Sequence, residues 1–167
     1  MQPTRECVAR NGRLAPVALA LLLAHAPTAM AATLVIQPSN QDAFIMQNAP
    51  NRITGTKNSR LRVKAALTPR RDARRSLVQF PLGSIPPGST VTSAVIGLYA
   101  SINALNPSLT HGLYRITTPW QENAVKWNNQ PPSAMIPSAT ALVGNGRGFK
   151  SFDVTADVQS ALNFAST

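Results

Sequence analysis

The stretch VTSAVIGLYASI, residues 91–102, decides the fold class of this chain. Its side chains alternate with a period of two, which predicts a long β-strand with one face toward a core. The segment IPPGS at residues 85–89 precedes it and is a strong turn signal, because Pro fixes φ and Gly permits positive φ. One face of the predicted strand carries Ala94, Ile96, Leu98, Ala100 and Ile102, and the other carries Ser93, Val95, Gly97, Tyr99 and Ser101.

Shorter runs with the same alternation occur on both sides of this strand. Residues 155–163 have the spacing of an amphipathic helix, and residues 118–148, which contain several Pro, are expected to form a long irregular stretch. Many short strands separated by Pro, Gly and Asn turns are typical of an all-β, antiparallel β-sandwich, here with one short C-terminal helix. The other predicted strands are residues 33–37, 43–47, 60–65, 76–82, 112–117 and 149–154.

The composition fits one folded domain and excludes several kinds of site. The chain has 167 residues, 44% of them hydrophobic, with 16 Lys and Arg against 6 Asp and Glu and a formal net charge of +10. The single cysteine, Cys7, excludes a disulfide framework, and a total of two histidines argues against a histidine metal site. Because Cys and His are so few, we expect no cofactor. Because the net charge is strongly positive, we expect a partner that carries negative charge.

The first 31 residues have the layout of a secretory signal peptide. Three arginines precede the apolar run VALALLLA at residues 17–24, and the small-residue pattern Ala29-Met30-Ala31 follows. This layout predicts export and cleavage near Ala31, which leaves residues 32–167 as a secreted, extracellular or periplasmic domain. The apolar run is shorter than the about 20 residues that span a bilayer, and no later stretch is apolar enough, so no membrane span is expected.

Nine positive charges lie close together in the middle of the chain. If this segment forms strands, Arg60, Arg62 and Lys64 share one face, and a symmetric hairpin puts Lys64 opposite Arg75. Like charges placed opposite each other are destabilising without an anion, and the forked guanidinium fits a carboxylate or sulfate. Two interpretations are open: a cationic strip that binds an acidic polysaccharide, or a solvated strand edge that resists aggregation. The nine residues are Arg52, Lys57, Arg60, Arg62, Lys64, Arg70, Arg71, Arg74 and Arg75.

Three aromatic residues, Tyr99, Trp120 and Trp127, are the candidates for sugar stacking, because aromatic faces pack against the C–H faces of sugar rings. The alternative is that both Trp anchor a loop or the core, each with a partner for its indole N–H. No nucleophile motif surrounds His111, so we expect an ordinary half-exposed strand residue and not a member of a catalytic triad. Asp153 is expected to cap the turn into the helix.

Four ordered blocks of the chain resemble one known family. They are RSLVQFPLGSIPPGSTV at residues 75–91, YRIT at 114–117, the residues from Trp120 to Pro131 that end in WNNQP, and SFDVT at 151–155. They are similar to the blocks of DNRLRE-domain proteins, also described as carbohydrate-binding module family 96, from about residue 34 to the C-terminus. The resemblance implies a jelly-roll-like β-sandwich and a non-catalytic module of secreted proteins, often beside a glycan-active enzyme.

The resemblance also sets expectations near the two ends of the domain. Asp42 falls where the family has an acidic residue, which makes it a candidate ligand of a structural calcium ion. Family modules continue past the helical turn into a final strand, whereas this chain stops at Thr167. We expect a truncated module, or a partner that donates a strand to the unpaired edge.

The function expected from these features is an exported, non-catalytic carbohydrate-binding module for an acidic polysaccharide. The alternative is a structural or adhesive cell-envelope protein that acts through protein contacts at the open edge. An enzyme is not expected, because the sequence contains no visible catalytic constellation. Nucleic acid is disfavoured as a partner by the predicted export and by the lack of a recognition motif.

Overall fold

Antiparallel strand pairs make up most of the regular secondary structure in the computed structural model of the chain. The structure describes residues 31–55, 60–66, 71–101, 108–144 and 146–165, and Leu34–Thr167 form one compact unit. The elements in chain order are β1 Gln41–Met46, β2 Arg74–Gln79, β3 Val95–Ala100, β4 Leu109–Leu113, a 3-10 turn Trp127–Asn129, β5 Ala139–Val143, β6 Gly148–Asp153 and α1 Thr155–Ala165.

The strands of the described residues form three antiparallel pairs. β1 pairs with β2, β3 with β6, and β4 with β5. β5 also lies against β6, so the last two pairs are neighbours. The predicted all-β fold with antiparallel sheets and one short C-terminal helix is confirmed, and the paired sheets are consistent with a β-sandwich.

Strand β1 is buried on both of its faces. One face, with Ala43 and Ile45, packs on Leu77 of β2 and on Val125. Phe44, on the other face, is buried as well, which explains why the apolar run of β1 is continuous and does not alternate with polar residues. Burial of each large apolar side chain contributes about 1.5–3 kcal/mol to the stability of the fold. This packing therefore fixes β2 against β1.

A buried threonine occupies the edge of β1 that faces away from β2. Thr54 is 1% exposed. Its hydroxyl accepts a hydrogen bond from the Phe44 amide at 3.2 Å and donates one to the Phe44 carbonyl. The next residue, Gly55, is buried against the backbone of Glu122. The threonine thus satisfies backbone groups that would otherwise be buried without partners.

The helix begins with the hydrogen bonds expected of Asp153. Its Oδ1 accepts the Thr155 amide at 2.9 Å and the Thr155 hydroxyl at 2.7 Å. The same hydroxyl accepts the amide of Ala94 at 2.9 Å, and the Val154 amide donates to the Ala94 carbonyl at 2.9 Å. These bonds tie the start of α1 to the start of β3, and the predicted cap is confirmed.

Most predicted elements agree with the structure within a few residues. In β3 the predicted alternation is confirmed, because Ile96 and Leu98 are less exposed than Val95 and Tyr99. The predicted turn at residues 85–89 is also confirmed, with Gly88 at a φ of 76°. The strands β1, β2, β3 and β6 overlap the predicted segments 43–47, 76–82, 91–102 and 149–154, and α1 begins at the predicted residue.

Four predictions about strands are wrong. Residues 33–37 form no strand, and Leu34 and Val35 are exposed. Residues 60–65 form only an isolated bridge at Lys64. β4 ends at Leu113 and so lies earlier than predicted, and β5 falls within the stretch expected to be irregular. Alternation marks a sequence that fits a strand, but a strand forms only where another edge is placed to accept its hydrogen bonds.

Several predictions concern residues outside the described part of the chain. Among the described residues, no helix is both long enough and apolar enough to cross a membrane. The basic start and apolar run of the predicted signal peptide fall within residues 1–30, outside the described residues. The same holds for the predicted inward-facing Ile102, the basic residues Lys57 and Arg70, and the chain end at Thr167.

Candidate functional site

The basic segment meets β2 in a register that differs by one residue from the predicted one. Lys64 lies opposite Arg74 in an isolated antiparallel bridge, whereas the symmetric hairpin predicts Lys64 opposite Arg75. Because side chains alternate across a strand, a difference of one residue moves Arg75 to the opposite face of the sheet. The structure therefore does not bring Arg75 together with Arg60, Arg62 and Lys64.

Two of the candidate cations hold the basic segment against the sheet. The Arg62 guanidinium lies 5.2 Å from the centre of the Phe44 ring. Its backbone amide donates to the Ser76 hydroxyl at 2.9 Å, and that hydroxyl donates to the Arg62 carbonyl at 2.9 Å. Lys64 forms an ion pair with Asp72. An exposed cation–π contact contributes about 0.5–1 kcal/mol and an exposed ion pair about 0–1 kcal/mol, so these contacts are modest.

On the other face of β2, Arg75 and Trp127 lie against each other. The Arg75 guanidinium is 5.1 Å from the centre of the Trp127 ring, and its Nη1 donates to Gln130 Oε1 at 2.7 Å. Gln130 Nε2 in turn donates to the Trp127 carbonyl at 3.0 Å. The indole and the amide thus hold an exposed guanidinium in one orientation, which reduces the entropy that binding an anion would cost.

The 3-10 turn that carries Trp127 is held by its own asparagines. The Lys126 amide donates to Asn129 Oδ1 at 2.8 Å. The next asparagine, Asn128, donates from its backbone to the Pro50 carbonyl at 3.1 Å and from its side chain to Asn51 Oδ1 at 3.0 Å. Since residues 50 and 51 follow β1, these bonds place the turn beside the β1–β2 pair.

An open cleft of about 800 Å³ begins at Arg75 and runs between β2 and residues 112–118. Arg115, which also lines the cleft, donates from Nη1 to Ser160 Oγ of α1 at 3.1 Å. One carboxylate, Asp157, also lines the cleft. The lining includes Arg75, Leu77, Tyr114, Arg115, Trp120 and Gln130, which combine two cations, two aromatic rings and an amide.

The three candidate aromatic residues lie in different places. Trp120 and Trp127 both pack against the core cluster, which supports the anchoring interpretation for each of them. Trp120 also lines the cleft, whereas Trp127 presents its ring to Arg75. Tyr99 lies on the separate β3–β6 pair and does not line the cleft. The stacking interpretation thus remains a hypothesis for all three.

The candidate calcium ligand and the lone described histidine make local contacts. Asp42 Oδ2 accepts the Ser39 hydroxyl at 3.0 Å, and the Asp42 amide donates to Glu122 Oε2 at 3.4 Å. Among the described residues there is no group of three His, Cys, Asp or Glu placed to hold a metal ion. Calcium at Asp42 stays a prediction. His111 is a half-buried residue of β4, as expected, with Nδ1 3.2 Å from the Leu109 carbonyl oxygen.

Sequence reasoning did not single out several residues of this cleft. Tyr114, Arg115 and Gln130 belong to blocks that carry the family resemblance, but nothing local in the sequence indicates that they line the same cleft as Arg75. Their positions follow from hydrogen bonds between residues 113–117 and 132–138, such as Thr117 amide to Pro132 carbonyl at 3.0 Å. Such pairings join segments that carry no turn signal linking them.

Comparison with protein families gives a match over most of the chain. The model of carbohydrate-binding module family 96 matches residues 33–167, which is most of the chain. No curated protein matches the sequence. The matched region contains every element of the fold and every residue of the cleft.

Proposed function

Because this chain belongs to carbohydrate-binding module family 96, we propose that it is an exported, non-catalytic module that binds an acidic polysaccharide at the cleft beside Arg75. The observation that carries the proposal is the orientation of Arg75, held between the Trp127 ring and Gln130. A guanidinium held in this way offers a fork of N–H donors to a carboxylate or sulfate.

The chemistry of the cleft suits a charged sugar chain. Arg75 and Arg115 both line the cleft, so two acidic groups along one polymer would each have a cation to pair with. Tyr114 and Trp120 supply apolar surface for the C–H faces of sugar rings, and Gln130 supplies an amide for hydroxyl groups. An open cleft also admits a polymer along its length, whereas an enclosed cavity would admit only a chain end.

The other basic residues support the proposal at longer range. Arg60 and Arg71 are exposed, and Arg62 is exposed while it covers Phe44. Residues 1–31 contain three Arg and one Glu, so their removal lowers the net charge from +10 to +8, and this charge attracts polyanions before any specific contact forms. This attraction is screened by salt, while the short contacts in the cleft are screened less. Specific and nonspecific binding are therefore separable by ionic strength.

Export and the absence of catalysis rest on different arguments. Export is supported by the basic, apolar and small-residue layout of the first 31 residues. The non-catalytic role is supported by the family, since carbohydrate-binding modules bind glycans without cleaving them. A glycosidase would need two apposed carboxyl groups, whereas Asp157 is the one carboxylate among the described residues that line the cleft.

The test is titration of the protein with polygalacturonate by calorimetry, at low and at raised salt. Arg75→Gln and Arg115→Gln should each weaken binding by about tenfold or more, because each removes a charge-assisted hydrogen bond. Arg147→Gln is the matched control, since Arg147 is exposed, outside the cleft and of the same charge. Equal losses in all three variants would reduce the interaction to nonspecific electrostatics and refute the cleft as the site.

A further inference from the structure

The outer face of the β3–β6 pair is exposed along its whole length. Six residues that share this face are exposed, and three of them are large and apolar: Val95 at 59%, Tyr99 at 57% and Phe149 at 72%. An antiparallel sheet with one solvated face normally places polar residues there. Exposed apolar surface on such a face often marks a binding site. The six residues are Val95, Gly97, Tyr99, Phe149, Ser151 and Asp153.

Tyr99 and Phe149 form an aromatic pair on this face. They lie directly opposite each other in the β3–β6 register. Their ring centres are 5.2 Å apart, with an interplanar angle of 72°. In this edge-to-face arrangement one ring presents its edge to the other, so the exposed rings retain a flat surface on which a further group can stack.

Next to the aromatic pair, the same face of the sheet carries only a small side chain. The next cross-strand pair is Gly97 with Ser151, which carries only one small side chain. A Cβ atom added to Gly97 would lie 3.6 Å from Cδ1 of Phe149, so the missing side chain exposes the flank of that ring. The two rings therefore border a shallow depression, where the Ser151 hydroxyl can hydrogen-bond to a group that stacks on the rings.

The charge of this face differs from that of the Arg75 cleft. Within the described residues of β3 and β6, the exposed face carries no Lys or Arg. Its charged residue is Asp153, whose Oδ1 is bonded to Thr155. Lys150 lies on the opposite face, opposite Leu98 in register. The six residues of this face offer a polyanion no cation to pair with, whereas a neutral group with C–H faces and hydroxyls fits both the rings and the polar neighbours.

We propose that Tyr99 and Phe149 stack a neutral pyranose unit, and so form a second sugar subsite that is separate from the Arg75 cleft. This inference rests on the proposed carbohydrate binding, but it assigns a different ligand class to a different sheet. A protein partner fits less well, because glycine, serine and a carboxylate interrupt the apolar surface that such an interface needs.

The test is affinity electrophoresis of the full chain in gels that contain a neutral polysaccharide, with β-1,3-glucan, xylan and mannan as probes. Tyr99→Ala and Phe149→Ala should each reduce retention by about 3- to 10-fold, as expected for the loss of one aromatic contact. Val95→Ala, on the same face, is the matched control and should retain binding within about twofold. Retention of the wild type should not fall as salt is raised, because no charge is paired.

Three results would overturn the inference. The first is no retention by any neutral probe, and the second is an equal effect of Tyr99→Ala and Val95→Ala. The third is self-association, measured by light scattering, that Tyr99→Ala abolishes while it leaves sugar binding unchanged. Thermal melts of each variant separate a lost subsite from a lost fold. The outcome is independent of the Arg75 cleft, since Arg75→Gln acts on polygalacturonate and not on the neutral probes. If binding at one of the two sites is refuted, binding at the other can still be tested.

Discussion

Lys64 and Arg74 lie directly opposite each other and exchange backbone hydrogen bonds, Lys64 N to Arg74 O at 3.1 Å and Arg74 N to Lys64 O at 2.9 Å. Two like charges in such a pair repel, and the ion pair of Lys64 with Asp72 offsets part of the cost. The register that results sends Arg75 to the face of Trp127. One backbone pairing thus puts Arg75, which is available to a ligand, on the opposite face of the sheet from Arg62 and Lys64, which support the fold.

Trp127 should report binding of an acidic glycan through its fluorescence. A carboxylate bound to Arg75 changes the electrostatic environment of the ring that lies 5.1 Å from that guanidinium. We expect a saturable change of emission when polygalacturonate is titrated into the wild type. The change should persist in Trp120→Phe and vanish in Trp127→Phe. A signal that follows Trp120 would place the ligand at Trp120, which also lines the cleft, and not at Arg75.

Replacement of Thr54 by Val should destabilise the protein by about 1–3 kcal/mol, because the buried amide and carbonyl of Phe44 would lose their hydroxyl partner. Thr54→Ser keeps the hydroxyl and loses one methyl group, so a cost of about 1 kcal/mol is expected. Urea denaturation followed by circular dichroism measures both. If the valine variant is as stable as the serine variant, the hydroxyl has no structural role.

Gly55→Ala should destabilise the fold by about 1–3 kcal/mol through overpacking. A Cβ atom at this position would overlap the side chain and carbonyl oxygen of Glu122 and lie 3.0 Å from its carbonyl carbon. Backbone atoms cannot move aside as a flexible side chain can. Gly83→Ala is the control, since a Cβ atom there meets nothing within 4 Å, and its melting temperature should match the wild type.

Asp153 should contribute to the loss of stability in acid. The hydroxyl of Thr155, and then its amide, hold the pKa of Asp153 below the usual value of 3.8. A carboxyl whose pKa is lower in the folded state stabilises the fold above its unfolded pKa. That contribution is lost as the pH falls through the lower folded value. The melting temperature should therefore depend less on pH, below about pH 5, in Asp153→Asn than in the wild type.

The control for this prediction is Asp157→Asn, which removes one charge from the first turn of α1, shortly after the cap. Because this variant keeps the bonds between Asp153 and Thr155, its melting profile shows the effect of removing a nearby carboxyl group without removing the cap. Equal pH profiles for Asp153→Asn and the wild type would show that the bonds to Thr155 do not stabilise the folded state.

Much of the fold could be predicted from local pattern, and the candidate site only in part. The alternation in residues 91–102 places Tyr99 outward and Ile96 inward because neighbouring side chains of a strand point to opposite faces. Arg75 and Trp127 were both identifiable as candidates. Their contact was not, because it depends on where the 3-10 turn docks beside β1 and β2.

The wrong strand predictions share one physical cause. The segment at residues 33–37 is an apolar run flanked by polar residues and fits a strand, yet it finds no strand to pair with among the described residues, and its Leu34 and Val35 stay exposed. β5 alternates over only five residues within a stretch that contains several Pro, and it is a strand because β4 pairs with it. Local sequence indicates where a strand can form, and a partner edge decides whether it does.

The sequence by itself determined the class of the fold, the position of its turn and helix cap, and the family to which it belongs, because each depends on residues that are close in the chain. Only the tertiary structure decided which cations share a face and which aromatic residue each one meets. A shift of one residue in strand register reverses every side chain, and register is set by contacts such as Lys64 with Arg74, across the sheet.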